Sequence, residues 1–569
     1  MEVSQLAKLN YTKTRAYLIR RGRSRSAATI MELTSSSSTW PWPSSALVLT
    51  TTLSLCLLFF LRGMKKNNKK SQQGRLPPGP STLVFLARFL LLRRSVFHLA
   101  PLLRDLHARY GPVVSVHLFR TVVFVSDRGL AHRALVQGGA TFADRPSLAE
   151  PLRLLTGGAR DISTSPYGPY WRLLRRNLAA QALSPARVAG FAPARQRALD
   201  ALLRDLRASA DDGVVRVRPA FRRAMVGLLV HMCFGATAAL GPDALSEVME
   251  LQQRIVRAMA SFPVFSFFPA LTKRVFRRRW AAHVAVRRRQ EELFLPLIHA
   301  RRQLLREDAQ EPPPAPCACY VDSLLGLRLP EDHEDGGGGR PLTDGEVVTL
   351  CSEFLNAGTD TTVTLLEWAM AELVNHQDVQ TKIYNETLSK LSRDGHLDDL
   401  QGMAYLKAVV LESLRLHPPG HFLVPHGVLG HGGGAEIGGY AVPNGSEVNF
   451  LAGDWGLDEA EWAAPREFRP ARFLDGGEAH GMDVTASRGG IRMVPFGAGR
   501  RICPAYTVGL LHVEFFVANL VREMEWLPPA EREGKGVDLA EEIEFTAVMK
   551  HPLRARVVPR NRMSRNFEI

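Results

Sequence analysis

Apolar residues recur at helical spacing over most of this chain. Stripes of period 3.6 predict helices over 97–109, 171–183, 191–208, 218–234, 243–260, 275–305, 345–375, 379–393 and 403–416, and a last apolar run extends from Val508 to Val521. Strand-like runs are short and confined to 113–118, 121–126 and 446–451. The pattern is that of a mostly α protein with small β-sheets. From about residue 82 onward no repeat and no clean linker divides it into two cores. Two stretches break the pattern. The first, 308–342, sets Pro312 to Pro314 and Gly336 to Gly339 among acidic residues and predicts a surface loop. The second, Phe262 to Leu271, has four phenylalanines and two prolines and runs into Lys273, Arg274 and Arg277 to Arg279. Its prolines predict a loop with half-exposed aromatics, which either pack under the flanking helices or dip into a membrane surface.

The N-terminal region follows different rules. No residue from Leu33 to Leu61 is charged, and 44–61 is its most apolar part. A span of that length approaches the ~20 residues a bilayer requires, which predicts a transmembrane anchor. Arg62, Lys65, Lys66, Lys69 and Lys70 follow it and place the C-terminal side in the cytosol, consistent with an endoplasmic reticulum membrane protein. Residues 62–80 read as a basic, Pro-rich hinge ending in Leu76-Pro77-Pro78-Gly79-Pro80, with the catalytic body over 81–569. Residues 1–30 carry seven basic residues and one acid, so they are either a transit-like extension or a gene-model artefact preceding a start at Met31.

Composition narrows the picture. The 569 residues are 46% apolar and 22% charged, as in a globular protein. The net charge of +16 invites a nucleic-acid partner, but +11 of it lies in residues 1–75, which argues against one. Six cysteines (Cys56, Cys233, Cys317, Cys319, Cys351 and Cys503) have no framework spacing and read as reduced thiols facing the cytosol.

Candidate chemistry gathers at a few places. In Pro495-Phe496-Gly497-Ala498-Gly499-Arg500-Arg501-Ile502-Cys503-Pro504, two glycines let the backbone turn tightly beside a flat ligand. Cys503 then stands near a helix N-terminus with two arginines beside it, features that favour thiolate, the form a metal binds. A capping box, Thr343-Asp344-Gly345-Glu346, opens a helix of about 45 Å. In its middle Ala357-Gly358-Thr359-Asp360-Thr361-Thr362 is poor helical sequence, which predicts a local opening and a groove for a small ligand such as dioxygen. Thr361 would hydrogen-bond that ligand and Asp360 would carry protons inward. Glu412 and Arg415 share a helical face at i, i+3, and Arg472 downstream would make a buried triad if it reached them. Trp171 and Arg175 share another helical face and suit a carboxylate in a partly dry site.

Together these segments resemble the cytochrome P450 family of haem-thiolate monooxygenases over about residues 76–560. Phe496, Gly499, Arg501 and Cys503 match its Phe-x-x-Gly-x-Arg-x-Cys loop, Ala357 to Thr362 its oxygen motif, and Glu412 with Arg415 its Glu-x-x-Arg. Arg472 matches the arginine completing the triad, and Trp171 with Arg175 match Trp-x-x-x-Arg. The Cys loop and His417-Pro418-Pro419 look like plant microsomal A-type members, and His421 to His426 with Leu511 to Leu520 look like the eighty-nine-A subfamily.

The resemblance implies a haem b with Cys503 thiolate as axial iron ligand, Phe496 packed by the sulfur, and Arg175, Arg501 and His426 on the propionates. It places Ala357 and Gly358 at the cofactor, with Asp360 and Thr361 handling protons. It also implies O2 and a hydrophobic small molecule as substrates, with Phe422, Leu423 and Val424 lining the pocket. Electrons would come from NADPH through a separate flavoprotein reductase, docking on Arg172, Arg176 and Arg500. Ala505 stands where the family usually has Gly, so its methyl would strain the backbone if the position needs positive φ, and Leu457 and Glu459 depart from another family stretch, so a weakened haem binder stays open beside an isomerase or dehydratase.

Overall fold

The computed structural model describes residues 75–560 apart from 93–98, 119, 209–212, 236–239, 267, 309–318, 330–338, 392–399, 401 and 430–434. The 1–30 extension, the 44–61 anchor, most of the 62–80 hinge and most of the 308–342 loop lie outside these residues. Among the described residues no helix is long and apolar enough to cross a membrane.

The described residues form a single, mostly helical domain with small sheets, built around helix Asp344–Asn375. The capping box starts that helix: Thr343 Oγ1 accepts from Glu346 N (3.3 Å), and Glu346 Oε2 accepts from Thr343 N (2.9 Å). From Glu346 to Val374 its residues are buried, except in the window 353–361. Helices Val217–Phe234, Arg277–Asp308, Ala404–Leu416 and Tyr506–Glu523 pack round it. Their apolar stripes meet in one core that includes Leu228, Phe294, Leu366, Trp368, Val409 and Phe516. The stripe over 379–393 forms a shorter helix, Gln377–Ser389.

A four-stranded sheet sits to one side. Val113–His117 pairs antiparallel with Thr121–Val125, which runs parallel to Glu447–Phe450, with His426–Gly427 antiparallel on the far edge. The parallel pairing joins residues more than three hundred apart in sequence, so the sheet brings the 421–428 segment, just past Arg415, to the N-terminal part of the domain. A three-stranded sheet of Met524–Leu527, Arg554–Pro559 and Val214–Arg216 closes the other side. The Pro-rich end of the proposed hinge is not a free link. Ser115 N and Oγ donate to Pro78 O and Pro77 O (2.9 and 2.6 Å), and Ala441 N donates to Arg75 O (3.0 Å). A Cβ on Gly79 would lie 1.8 Å from Ser115 O, so only glycine fits there.

The aromatic stretch after residue 260 divides. Phe265 is buried, and Phe262 stacks on Phe89 with ring centroids 5.3 Å apart. Phe268, Leu271, Val275 and Phe276, on and beside the short helix Pro269–Val275, are 37–49% exposed.

Candidate active site

The Cys loop closes on itself. Cys503 N donates to Phe496 O (2.8 Å), and Gly497 and Gly499 adopt φ of +72° and +69°. At Gly499 a Cβ would meet Leu135 O at 1.8 Å, so the loop lies flat against the 133–137 turn. Cys503 and Phe496 are each partly accessible although deep in the chain's packing, and Phe496 lies 6.1 Å from the Tyr506 ring. Burial raises the thiol pKa of Cys503, and the Ala505 amide and the Arg175 charge offset this only in part. A metal ion bound to the sulfur would supply the charge that favours thiolate. One expectation changes here. Ala505 has φ −103°, a region open to any residue, so its methyl causes no backbone strain.

The window in the long helix is the other wall. Glu353, Asn356, Gly358, Asp360 and Thr361 are partly accessible and Ala357 is exposed, amid a helix otherwise buried on all sides. A buried helix shows such a window only where it borders an internal space. The helix is not opened there: it runs unbroken through the motif. Its threonine hydroxyls cap carbonyls one turn back, Thr361 Oγ1 donating to Ala357 O (2.8 Å) and Thr359 Oγ1 to Leu355 O (2.7 Å). Gly358 does not face the space. Its missing Cβ would lie 2.9 Å from Leu229 Cδ1, so the glycine admits helix Val217–Phe234 to close range. Asp360 also turns to that helix, 2.7 Å from Arg222. Burial raises its pKa, while Arg222 and Arg218 pull it down. An inward-pointing acid is therefore not what this conformation presents.

Cations collect between these walls. Arg175 Nη2 donates to Ile502 O (2.6 Å); burial lowers its pKa, opposed by the charges of Cys503 and Glu353. That guanidinium is held against the Cys loop. Arg501 donates to Ala143 O, Ile162 O and Ser165 O and lies 4.4 Å over the Trp171 ring, whose Nε1 donates to Ile162 O (3.1 Å). Burial holds the Arg501 pKa at about 10. His426 Nδ1 donates to Phe142 O (2.6 Å), and burial beside Arg145 and Arg501 pushes its pKa down to about 3, so it is a neutral donor. Arg145 was not among the sequence candidates. Burial and Arg501 push its pKa down to about 9, and it donates to Ser163 O, Val424 O and Pro425 O (2.7–2.9 Å). Its only local signal was an arginine before Pro146, with no periodicity to mark it.

Below the Cys loop stands the ion triad. Glu412 Oε2 accepts from Arg415 Nε (2.7 Å), and Glu412 Oε1 accepts from Arg415 Nη2, Arg469 N and Arg472 Nε (2.8, 2.8 and 3.1 Å). All three side chains are buried. Arg415 also holds Gly456 O and Pro465 O (2.6 Å each), and Arg472 holds Ala464 O (2.7 Å) and Glu478. The irregular chain on the approach to the Cys loop is thereby clamped to helix Ala404–Leu416.

A sulfur ligand on one wall, an accessible helical face on another and a cluster of half-buried arginines fit a flat, anionic, iron-bearing macrocycle. Residues 77–557 match the Cytochrome P450 family model. The chain is 39% identical to Cytochrome P450 89A9 of Arabidopsis thaliana over 86% of its own length and 94% of that protein. It is 29% identical to the Flavonoid 3'-monooxygenase of Arabidopsis thaliana over 83% of its length and 90% of the relative. A zebrafish cytochrome P450 solved with progesterone shares the fold, with TM-score 0.65 and 22% identity over 80% of this chain and 98% of that one. The chain belongs to the cytochrome P450 family, as a plant-type monooxygenase similar to the 89A subfamily, in which haem iron is held by a cysteine thiolate.

Proposed function

We propose that this enzyme inserts one atom of O2 into a hydrophobic small molecule at the cytosolic face of the endoplasmic reticulum membrane. Its electrons come from NADPH through a separate flavoprotein reductase. The observation that carries this reading is the accessible window of an otherwise buried helix, together with an arginine, Arg175, fixed to the Cys loop at Ile502 O. Haem bound through Cys503 supplies oxygen activation, the thiolate favouring O–O cleavage.

The chain's own residues do the rest. Arg145, Arg175 and Arg501 are donors of the kind that hold propionates, whereas neutral His426 spends its one N–H on Phe142 O and has no donor left for a carboxylate; Phe496 screens the sulfur from water. Thr361 gives its proton to Ala357 O, so its oxygen remains an acceptor on the open face. Asp360 holds a proton more readily than a free carboxylate, and leaving Arg222 would turn it toward that face. Phe422, Leu423 and Val424 form apolar lining, with Val424 50% exposed beside the Arg145-bound carbonyl. The Flavonoid 3'-monooxygenase and 4-hydroxyphenylacetaldehyde oxime monooxygenase relatives are consistent with an aromatic substrate of modest size. Arg172 and Arg176 are exposed on helix Pro169–Gln181, and Arg500 is exposed near them through Tyr167, which suits an acidic reductase surface. Exposed Phe268, Leu271 and Phe276 beside Lys273 and Arg274 suit a lipid surface, alongside the 44–61 anchor.

A second reading, a haem-thiolate isomerase or dehydratase without external oxygen, has one observation in its favour: Asp360 is paired away from the window. The weakened-binder reading loses its motive at Ala505. Reduced, carbon monoxide-bound protein should give the thiolate-type haem band. NADPH should then be consumed only with reductase and substrate together. Product formed without NADPH and O2 would establish the isomerase instead.

A further inference from the structure

A short segment, residues 161–165, runs between the long helix and the cationic cluster, and its backbone groups serve both sides. Ile162 O accepts from Trp171 Nε1 (3.1 Å) and Arg501 Nη1 (3.2 Å), Ser163 O from Arg145 Nε (2.7 Å), and Ser165 O from Arg501 Nη2 (2.7 Å). Its amides point the other way. Ile162 N and Ser163 N donate to Glu353 Oε2 (2.8 Å) and Oε1 (2.6 Å). Asp161 ties the turn internally by accepting from Thr164 N (2.7 Å). Glu353 occupies the same helical face as Ala357 and Thr361, at i, i+4 and i+8, and is the acid at the N-terminal edge of the accessible window. A carboxyl group accepting two adjacent backbone amides fixes a loop in both position and orientation, because both oxygens are engaged at once; burial and nearby Asp161 push the Glu353 pKa up to about 8, opposed by those two amides.

We propose that Glu353 is a positioning residue: it pins the 161–165 segment to the long helix and so holds in register the carbonyls that seat Arg145, Arg501 and Trp171. Removing it leaves two amides without acceptors, and the segment opens to water to satisfy them. The arginines then lose the carbonyls that orient them. What those arginines hold rests on the haem reading above; the pin itself does not.

The test is amide hydrogen exchange on the holoenzyme, with the rate of haem transfer to a haem-free globin as second readout. In Glu353→Leu, exchange at 162–163 should rise about tenfold or more per lost bond, while helix Val217–Phe234 stays protected. Glu353→Gln keeps one acceptor and should fall between Leu and wild type. Haem transfer should quicken in the same order, with the thiolate-type carbon monoxide band unmoved, since Cys503 is untouched. Wild-type exchange at 162–163 in the Leu variant overturns the proposal, as does protection lost equally from Val217–Phe234. If the Leu variant does not accumulate as holoenzyme, the Gln variant decides: intermediate protection supports the pin and unchanged protection overturns it. Absence of the thiolate band in the wild type would instead sink the haem reading and leave the exchange result standing.

Discussion

Replacing Glu412 by Gln removes one negative charge from the best-enclosed ion cluster in the protein while nearly conserving volume. The carboxylate accepts four hydrogen bonds from two guanidinium groups and one amide, and the paired Glu412 and Arg415 side chains have no exposure to water. A glutamine amide offers one acceptor oxygen, and its NH2 faces donors. Arg415 is then left without its counter-charge and Arg472 with Glu478 alone, a defect that costs about 3–5 kcal/mol. That is a large fraction of the ~5–15 kcal/mol a folded domain typically has in reserve. For a body of roughly 480 residues, ~2.1 cal/mol/K of unfolding entropy per residue amounts to about 1 kcal/mol/K, so the midpoint should fall by ~3–5 °C. Large proteins often unfold irreversibly, so the measurement is the thiolate-type carbon monoxide band surviving a fixed time at each temperature. Arg472 clamps chain that leads to the Cys loop, so the band should fail at lower temperature than the helical circular dichroism. If the survival curve of Glu412→Gln superimposes on that of the wild type, the triad is not what holds the Cys loop, and the reasoning is wrong.

Further outcomes follow from the same structure. Cys503→Ser should lose the thiolate-type band and keep most of its helical circular dichroism; an unchanged band would place the iron ligand elsewhere. Asp360→Asn should slow substrate oxidation by about 10²-fold or more if Asp360 is the proton donor. Arg222→Ala removes the charge that holds the Asp360 pKa down, so the pH profile of turnover should move upward, and an unshifted profile would rule Asp360 out. Ala505→Gly should change stability by less than about 1 kcal/mol and leave the carbon monoxide band in place, because the residue's φ is already negative; a large stabilisation would revive the strain argument. Burial pushes the His512 pKa down to about 3, so the native state binds fewer protons than the unfolded chain below the usual imidazole value. Its share of stability is full above about pH 6.5 and is lost as pH falls toward 3, at ~1.4 kcal/mol per pH unit. His512→Phe should flatten the acid arm of stability against pH by one proton, and an equally steep arm would show that other groups set it.

What the sequence determined by itself was local. The spacing of apolar residues set the helices, because a helix of period 3.6 must bury one stripe whatever it packs against. The capping box placed the start of the long helix, and the i, i+3 spacing put Glu412 and Arg415 on one face. The glycines of the Cys loop announced tight turns, and both carry positive φ. The motifs also carried the family, because their residues fall close together in the chain.

Tertiary structure decided everything that depends on a partner from far along the chain. Gly358 read as an open groove, yet Leu229 of a neighbouring helix fills the place of its Cβ. Asp360 read as carrying protons inward, yet it turns to Arg222 of that same neighbouring helix, because a buried charge takes its nearest counter-ion. Arg145 and Glu353 were silent in sequence, since their roles come from carbonyls and amides of a segment that folding brings to them. Burial also acts on Cys503, raising its thiol pKa against the Ala505 amide and Arg175, and no linear pattern records how much water a site has lost.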